Sequence, residues 1–328
     1  MKFFIAETLS SSYLLDLLSG KTGLYQEPFE ANLVTLANSL NSADAILVPH
    51  DAYHFASNSE YLKYLIGISR KKLVVFSDRG DFPKKPKIPN SIAIRVAINP
   101  GENNSNKVVV PYNVESLEFL PFRKFSTVPS ISFVGYIPKV SPKRIVSGMS
   151  RTSFHPAIGN GALVRQSFTK SFIKSTLHFN YIKRDTYGAH KQTDPDFITH
   201  RKEYLEQLTE SDLVLSPRGD ANASARFFEV ISSGRVPVIP NTRIQFPSAL
   251  GNRPDASQDY LLMRAFSGNR EREVNEFWNY HIQSEDNYYL LQLSLRESFQ
   301  KYFRYTKFMK NLFSMDLSTF KQVSNWKL

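Results

Sequence analysis

The chain has 328 residues, of which 41% are hydrophobic and 22% are charged, and it contains no cysteine. This composition is that of a globular protein with one large domain or two of ordinary size, and the lack of cysteine excludes disulfides and thiolate metal sites. The formal net charge of +11 favours anionic partners, namely nucleotide sugars, anionic glycans, membrane headgroups or nucleic acid, without choosing among them.

The first residues predict a strand rather than a leader. Residues 3–6 are apolar, but Glu7 and a serine cluster interrupt the run before the core of a signal peptide would be complete. No run approaches the roughly 20 apolar residues of a transmembrane helix. We therefore expect a cytoplasmic protein, whose contact with the inner face of the membrane, if it has one, is peripheral.

Short apolar runs alternate with helix-compatible segments in the first part of the chain. Strands are predicted at residues 3–6, 45–49, 73–76, 92–96 and 108–110, and helices at residues 27–40 and 60–69. Such alternation is typical of an α/β sheet that is largely parallel.

Polar residues follow two of these strands. His50 and Asp51 come directly after the strand that we expect to end at Pro49, and Asp78 follows the next strand. Ligands of such sheets bind at the carboxyl ends of strands. His54 adds a second imidazole, but a metal site would need a further ligand that the sequence does not offer. We interpret Asp51 and His50 as candidates for a general base, with Asp78 next; the alternative is that they cap a helix or form a turn.

A linker and a second α/β unit follow. The segment 122–130 loses periodicity, which predicts a linker, and residues 130–135 have the strand-then-glycine form of a first Rossmann unit. A basic segment with Arg144 is either a phosphate-facing loop or a solvated helix start. Asp194 and Asp196 match a metal-binding Asp-x-Asp pattern, but the proline between them favours the start of a helix. Further elements are predicted as helix 163–174, strand 178–182 and helix 197–208.

The stretch from Leu213 to Pro240 organises the chain. Its sequence predicts a strand at 213–215, a loop broken by proline and glycine, a helix from about Ala223 that stops at Gly234, and a strand at 236–239. A loop that follows a strand and leads into a helix presents backbone N–H groups and the positive end of the helix dipole, which together bind phosphate.

The same loop carries side chains suited to a nucleotide diphosphate. Arg218 and Arg226 can hold diphosphate oxygens, Ser224 adds a hydroxyl, and Glu229 can accept hydrogen bonds from ribose hydroxyls. The spacing fits a second interpretation equally well, in which Arg226 and Glu229 form an i,i+3 ion pair on a solvated helix face.

This stretch resembles the signature of the exostosin-like glycosyltransferases, glycosyltransferase family 47. The resemblance is carried by an ordered set of residues. These are Pro217, Arg218, Gly219, Ser224, Arg226, Glu229, Gly234 and Val236-Pro237-Val238. The chain departs from the family pattern at Ser216, Asp220, Ala221 and Ala225, and a carboxylate at Asp220 bears on the identity of the donor.

The resemblance implies a GT-B fold, with two Rossmann-like domains that face each other across a cleft. It also implies transfer of a sugar from a nucleotide donor with inversion at the anomeric carbon, without a metal or other cofactor. UDP is expected ahead of GDP. In the family this stretch binds the donor, a role that carries over to Arg218, Gly219, Ser224, Arg226 and Glu229.

The C-terminal part predicts a strand at 260–263 and helices at 271–280 and 284–313. The last helix places aromatic and aliphatic residues on one face and lysines and arginines elsewhere. It is either a basic amphipathic helix on a membrane surface or a helix that crosses back onto the N-terminal domain. We favour the packed helix.

The sequence thus predicts an α/β protein of the GT-B class with three segments: an N-terminal acceptor-side domain (1–126), a donor-binding domain (127–283) and a returning helix (284–328). We expect a metal-independent, inverting glycosyltransferase that uses a nucleotide sugar and a glycan or lipid-linked glycan acceptor, in surface polysaccharide synthesis, with no nucleic acid partner. The alternative is a non-catalytic binder of anionic glycan or nucleic acid, because the chain is basic and rich in Tyr and Phe.

Overall fold

The structure is a computed structural model of the whole chain. It describes residues 1–7, 34–78, 86–99, 102, 105–137, 139, 142, 146, 160–185, 196–219, 221–247, 260–265 and 268–323.

The first sheet has six parallel strands in the order β2-β1-β3-β4-β5-β6. Its elements follow the chain as β1 Lys2–Ile5, β2 Thr35–Leu36, β3 Ala45–Asp51, α1 Ala52–Phe55, α2 Ser59–Ser69, β4 Leu73–Ser77, β5 Ser91–Arg95 and β6 Lys107–Val109. Every residue of β3 is buried, as expected for a central strand of a parallel sheet that is covered on both faces.

The second sheet has five parallel strands in the order β11-β10-β9-β7-β8. Its elements are β7 Ser130–Tyr136, α3 Gly161–Ile173, β8 His178–Arg184, α4 Phe197–Thr209, β9 Leu213–Leu215, α5 Ala225–Ser232, β10 Val236–Asn241, β11 Leu261–Arg264 and α6 Arg270–His281. Helix α5 ends as the sequence predicts, because Gly234 has a φ of 77°, a left-handed conformation that favours glycine.

The C-terminal helices divide between the two sheets. Helix α7 (Glu285–Ser298) and a π-helical turn (Phe299–Phe303) pack into the core of the second sheet. The backbone then turns extended at Arg304, where ψ is 115°, and helix α8 (Tyr305–Ser314) packs on the first sheet, followed by α9 (Leu317–Val323). The single helix predicted over 284–313 is therefore wrong at this break. The return to the first sheet begins at Arg304, and the domain boundaries stay predictions.

Two other expectations differ from the structure. The helix predicted at 27–40 is wrong over its described part, because Thr35–Leu36 is a strand that pairs with β1, while residues 27–33 lie outside the described part. The strand predicted to end at Pro49 continues to Asp51. Its pairing with β4 shifts register between Leu47 and Asp51, which accommodates a proline that cannot donate to the ladder.

The predicted fold class is confirmed. Both sheets are parallel, each has its first strand placed inside the sheet next to its third, and helices cover them, which is the doubly wound Rossmann-like arrangement of the GT-B class. The carboxyl edges of the two sheets meet, since the side chain of Asn222, after β9, donates to the carbonyl of Ile98, after β5. None of the described helices is long and apolar enough to cross a membrane.

Candidate functional site

The signature stretch lies where the strand order of the second sheet reverses. β7 is flanked by β8 on one side and β9 on the other, so the connections after β7 and β9 leave in opposite directions. In doubly wound sheets, ligands bind in the crevice at the carboxyl ends of such strands. The loop after β9, described at residues 216–219 and 221–224, occupies this position; it is called the donor loop below, after the role that the family resemblance implies.

The donor loop is compact and closes on the start of α3. The backbone N–H of Gly219 donates to the carbonyl of Ala223 at 3.0 Å. A Cβ atom at Gly161, the first residue of α3, would lie 2.5 Å from the carbonyl oxygen of Gly219 and 2.8 Å from that of Arg218. Only glycine at position 161 therefore lets the loop lie this close to the helix.

Two arginines bond to the backbone of the loop, one from within it and one from α3. The side chain of Arg218 is 2% exposed, and its Nε donates to the carbonyl of Gly219 at 3.4 Å. Arg165, on α3, donates to the carbonyls of Tyr136 at 3.0 Å and of Arg218 at 3.3 Å. Arg165 thus joins the end of β7 to the donor loop across the switch point.

Arg226 lies at the centre of the switch point. It is half-buried, and its guanidinium donates to the carbonyl of Leu215 at 3.3 Å and to that of Val134. It also lies over the ring of Phe133, 4.9 Å from the centroid. These contacts hold the guanidinium between the carboxyl ends of β9 and β7.

Ser224 is the N-cap residue of α5, but its side chain makes no capping hydrogen bond. It is 9% exposed. The hydroxyl is therefore not consumed by the first turn of the helix, unlike the amide of Asn160, whose oxygen accepts from Ala162 and Leu163 at the start of α3.

Glu229 pairs with Arg201 rather than with Arg226. Its Oε1 accepts from Arg201 at 2.7 Å, and the same guanidinium donates to Glu115 at 2.9 Å. Burial, the largest single influence, lowers the pKa of Arg201, but the charges of Glu229 and Tyr204 and the hydrogen bonds to Glu229 and Glu115 together outweigh it, and the pKa is raised. The i,i+3 pair on a solvated face is therefore wrong, because α4 and not α5 supplies the cation.

The candidate bases lie at the switch point of the first sheet. Asp51 ends β3, and its Oδ2 accepts from the hydroxyl of Ser77, which ends β4, at 2.8 Å. His50 lies edge-on to the ring of Tyr61, with 6.0 Å between centroids. Asp51 is 2% and His50 1% exposed, so both side chains are buried at this edge.

A second acidic group at this edge is neutralised by a cation. Asp78 lies 3.4 Å from Nε of the fully buried Arg95, which also pairs with Glu102. Burial raises the pKa of Glu102, but Arg95 and Lys107 outweigh it, and the pKa is lowered. Asp78 is 3% exposed and belongs to this network, which suits a structural role better than a catalytic one.

Several predicted features lie outside the described residues, namely Arg144, Asp194 and Asp220, and the side chain of His54 with them. Asp196 is described as the N-cap residue of α4, which agrees with the helix start predicted there, although its side chain makes no capping bond. Within the described ranges, no cluster of His, Asp or Glu could hold a metal ion.

Sequence reasoning missed three residues that build the site. Arg165 and Arg201 lie on helices whose charged positions look like ordinary solvated faces. Asn222 looks like a turn residue, yet it is fully buried in the donor loop. The one available signal was its position between Gly219 and Ser224, in a loop of small residues where a polar side chain must find partners.

The chain is similar to one known protein family over the donor loop. Residues 161–267, about a third of the chain, match the family described as RXYLT1 C-terminal domain. This match confirms the predicted resemblance to exostosin-like glycosyltransferases over that segment, and it indicates a glycosyltransferase. Among curated proteins, none matches the chain.

Solved structures similar to this chain are distant in sequence. S. aureus TarM has 14% identity and a TM-score of 0.37, with 81% of this chain and 57% of TarM covered. An alpha-glucosyltransferase in complex with UDP-glucose and DNA has 10% identity and a TM-score of 0.40, with 87% of this chain and 82% of that chain covered. Anabaena Alr3699/HepE in complex with UDP-glucose has 11% identity and a TM-score of 0.37, with coverages of 85% and 79%. This chain thus spans little more than half the length of TarM.

Proposed function

We propose that this chain is an inverting, metal-independent glycosyltransferase that moves a sugar from a nucleoside-diphosphate sugar to a glycan or lipid-linked glycan acceptor. The observation that carries the proposal is the signature stretch folded as strand, loop and helix at the switch point of the second sheet. The family resemblance favours UDP ahead of GDP, and a role in surface polysaccharide synthesis is part of the proposal.

The donor side rests on the charges at that switch point. Arg226 donates to two carbonyls and has further N–H groups that can meet diphosphate oxygens. The start of α5 adds its backbone N–H groups and the hydroxyl of Ser224. When the bond to the sugar breaks, negative charge grows on the leaving diphosphate, and fixed donors of this kind stabilise it.

We assign to the remaining donor residues the shape of the loop and the contacts with the nucleoside. Arg218 and Gly219 shape the loop that faces the diphosphate. The carboxylate of Glu229 is fixed by Arg201, and we assign to it the ribose hydroxyls of the donor. We assign the donor site to these five residues together, in the roles that the family resemblance gives them.

For the base, we propose Asp51. It ends β3 at the switch point of the first sheet, and Ser77 orients its carboxylate. Inversion needs one group that takes the proton of the acceptor hydroxyl as the anomeric carbon is attacked. His50, which packs against Tyr61, supports the end of the same strand.

The first experiment is thermal melting with UDP, GDP and their sugars, with and without a chelator. A ligand that binds only the folded state raises the melting temperature. We expect a shift with UDP that survives the chelator and is lost in Arg218→Ala, while Arg272→Ala on the surface of α6 keeps it. If no nucleotide shifts the wild-type protein and anionic polymer does, the polymer-binding alternative is correct.

The chemistry has its own test. In Asp51→Asn we expect transfer to fall by about 10²-fold or more, while the UDP shift stays at the wild-type value. The first product, followed by NMR, should carry the anomeric configuration opposite to that of the donor. Retention of configuration, or full activity in Asp51→Asn, contradicts the assignment of the base.

A further inference from the structure

One side chain of the donor loop makes its hydrogen bonds to residues that lie outside the loop. Asn222 is 0% exposed. Its Nδ2 lies 3.3 Å from the carbonyl oxygen of Ile98, 3.2 Å from that of Thr242 and 3.1 Å from that of Arg243. Its Oδ1 accepts from the hydroxyl of Thr242 at 2.8 Å.

These partners come from both halves of the molecule. Ile98 follows β5 at the carboxyl edge of the first sheet, whereas Thr242 and Arg243 follow β10 in the second. Arg243 has a φ of 54°, a left-handed backbone that is uncommon for a residue other than glycine. A single amide therefore joins the donor loop to one loop from each sheet.

The packing around the amide is close. Ala221 and Ala223, on either side of Asn222, form a small buried cluster with Ala97 of the first domain, and Tyr112 packs against it. Methyl side chains let the two backbones approach within hydrogen-bonding distance of the amide. The contact is thus dry, and a bond lost there is not replaced by water without cost.

Only an amide meets the demands of this position. It donates to carbonyls through its nitrogen and accepts a hydroxyl through its oxygen. An aspartate has nearly the same shape but would turn a carboxylate oxygen toward the carbonyls of Ile98, Thr242 and Arg243. An apolar residue would leave these buried carbonyls without the donor.

We infer that Asn222 is a positioning residue that fastens the donor loop to the first domain, so that nucleotide held by the loop and acceptor held by the first domain meet in a fixed geometry. The inference rests on the proposed function and deepens it. It follows that order at the donor loop is transmitted to the segment 96–99 through the amide, and that an Asn222 variant with UDP bound loses this coupling.

Hydrogen exchange tests this without an acceptor. In wild-type protein, UDP should slow exchange both in the donor loop and in segment 96–99. In Asn222→Asp we expect faster exchange in both segments without ligand, and with UDP we expect protection of the donor loop only. Asn269→Asp is the matched control, because the side chain of Asn269 only accepts, from Arg272 at the start of α6, and aspartate caps equally well.

The outcomes separate the two claims. If UDP protects neither segment of the wild-type protein, the proposed donor fails, and the ligand-free comparison still decides whether Asn222 joins the two halves. If UDP protects both segments equally in wild type and Asn222→Asp, the inference is wrong and the donor site stands. Unchanged ligand-free exchange in the variant also overturns it.

A second variant covers the case in which Asn222→Asp does not fold. Thr242→Val keeps the shape of Thr242 and removes the hydroxyl that donates to Asn222. We expect the same two segments to exchange faster, by a smaller factor, and the UDP protection of segment 96–99 to weaken. A Thr242→Val protein that behaves like wild type in both segments contradicts the inference.

Discussion

The carboxyl edges of the two sheets hold their cations in opposite ways. At the first edge, Arg95 is buried and neutralised by Asp78 and Glu102. At the second, the described bonds of Arg226 go to carbonyl oxygens, which orient the guanidinium and leave its charge in place. The comparison teaches that the first edge uses its buried cation to pair with carboxylates, whereas at the second edge Arg226 is held by carbonyl oxygens, and its charge is the one that the proposed function assigns to an anionic ligand.

The largest expected effect is at the first edge. Arg95→Gln removes a buried cation from Asp78 and Glu102, and we expect the free energy of unfolding to fall by about 3–5 kcal/mol. Urea unfolding measures this. Lys202→Gln, which breaks an exposed pair with Glu206, should change the free energy by less than about 1 kcal/mol. If Arg95→Gln also lowers the free energy of unfolding by less than about 1 kcal/mol, Arg95 does not have the stabilising role assigned to it here.

Gly161→Ala tests whether UDP binding requires the donor loop to lie as close to the start of α3 as it does. The added Cβ would meet the backbone oxygens of Gly219 and Arg218, so the loop must shift. We expect a loss of about 1–3 kcal/mol in unfolding free energy and no melting shift with UDP. Gly67→Ala is the control, because a Cβ at Gly67 in α2 meets no atom within 4 Å. That variant should be slightly more stable, by about 0.5–1 kcal/mol. A full UDP response in Gly161→Ala would place the ligand elsewhere.

Arg226→Lys tests whether the guanidinium at the second edge binds the diphosphate. Lysine keeps the charge but cannot donate to the carbonyls of Leu215 and Val134 and also to a diphosphate. We expect UDP to bind about tenfold more weakly, or about 1.4 kcal/mol, when measured by calorimetric titration. The same change at the exposed Arg272 should leave the affinity unchanged. Wild-type affinity in Arg226→Lys would make this arginine a purely structural residue.

The smallest effect is a dependence on pH. The pKa of Glu102 is lower in the folded protein than its usual value of 4.5, so this carboxylate stabilises the fold above about pH 4.5 and the contribution is lost as the pH falls through the folded pKa. In Glu102→Gln that contribution is absent. The difference in unfolding free energy between wild type and variant should therefore shrink on acidification, and a difference that stays constant down to pH 3 would contradict the lowered pKa.

Local sequence patterns predict most of the strands and the donor loop. In the β9–α5–β10 stretch, local residues mark the ends of the elements, with Pro217 and Gly219 in the loop and Gly234 at the turn. The prediction of one C-terminal helix was wrong because the helix breaks at Arg304 without a proline or glycine, at the point where the chain leaves one core for the other. The break depends on tertiary packing, and no local sequence pattern marks it.

The side-chain roles were harder to predict than the elements. Arg226 is visible as a cation of the site, but its bonds to Val134 and Leu215 depend on which strands lie next to each other. Arg201, which binds Glu229, lies on a different helix, so spacing within α5 could only suggest the wrong pair. The role of Asn222 could not be predicted because its partners, Ile98 and Thr242, are distant in sequence.

The most direct test of the donor site is a crystal structure of the protein with UDP. The diphosphate should lie between the end of β7 and the start of α5, within hydrogen-bonding distance of Arg226, with the ribose near Glu229. UDP bound at any other place, with the switch point of the second sheet empty, would contradict the assignment of this edge to the donor.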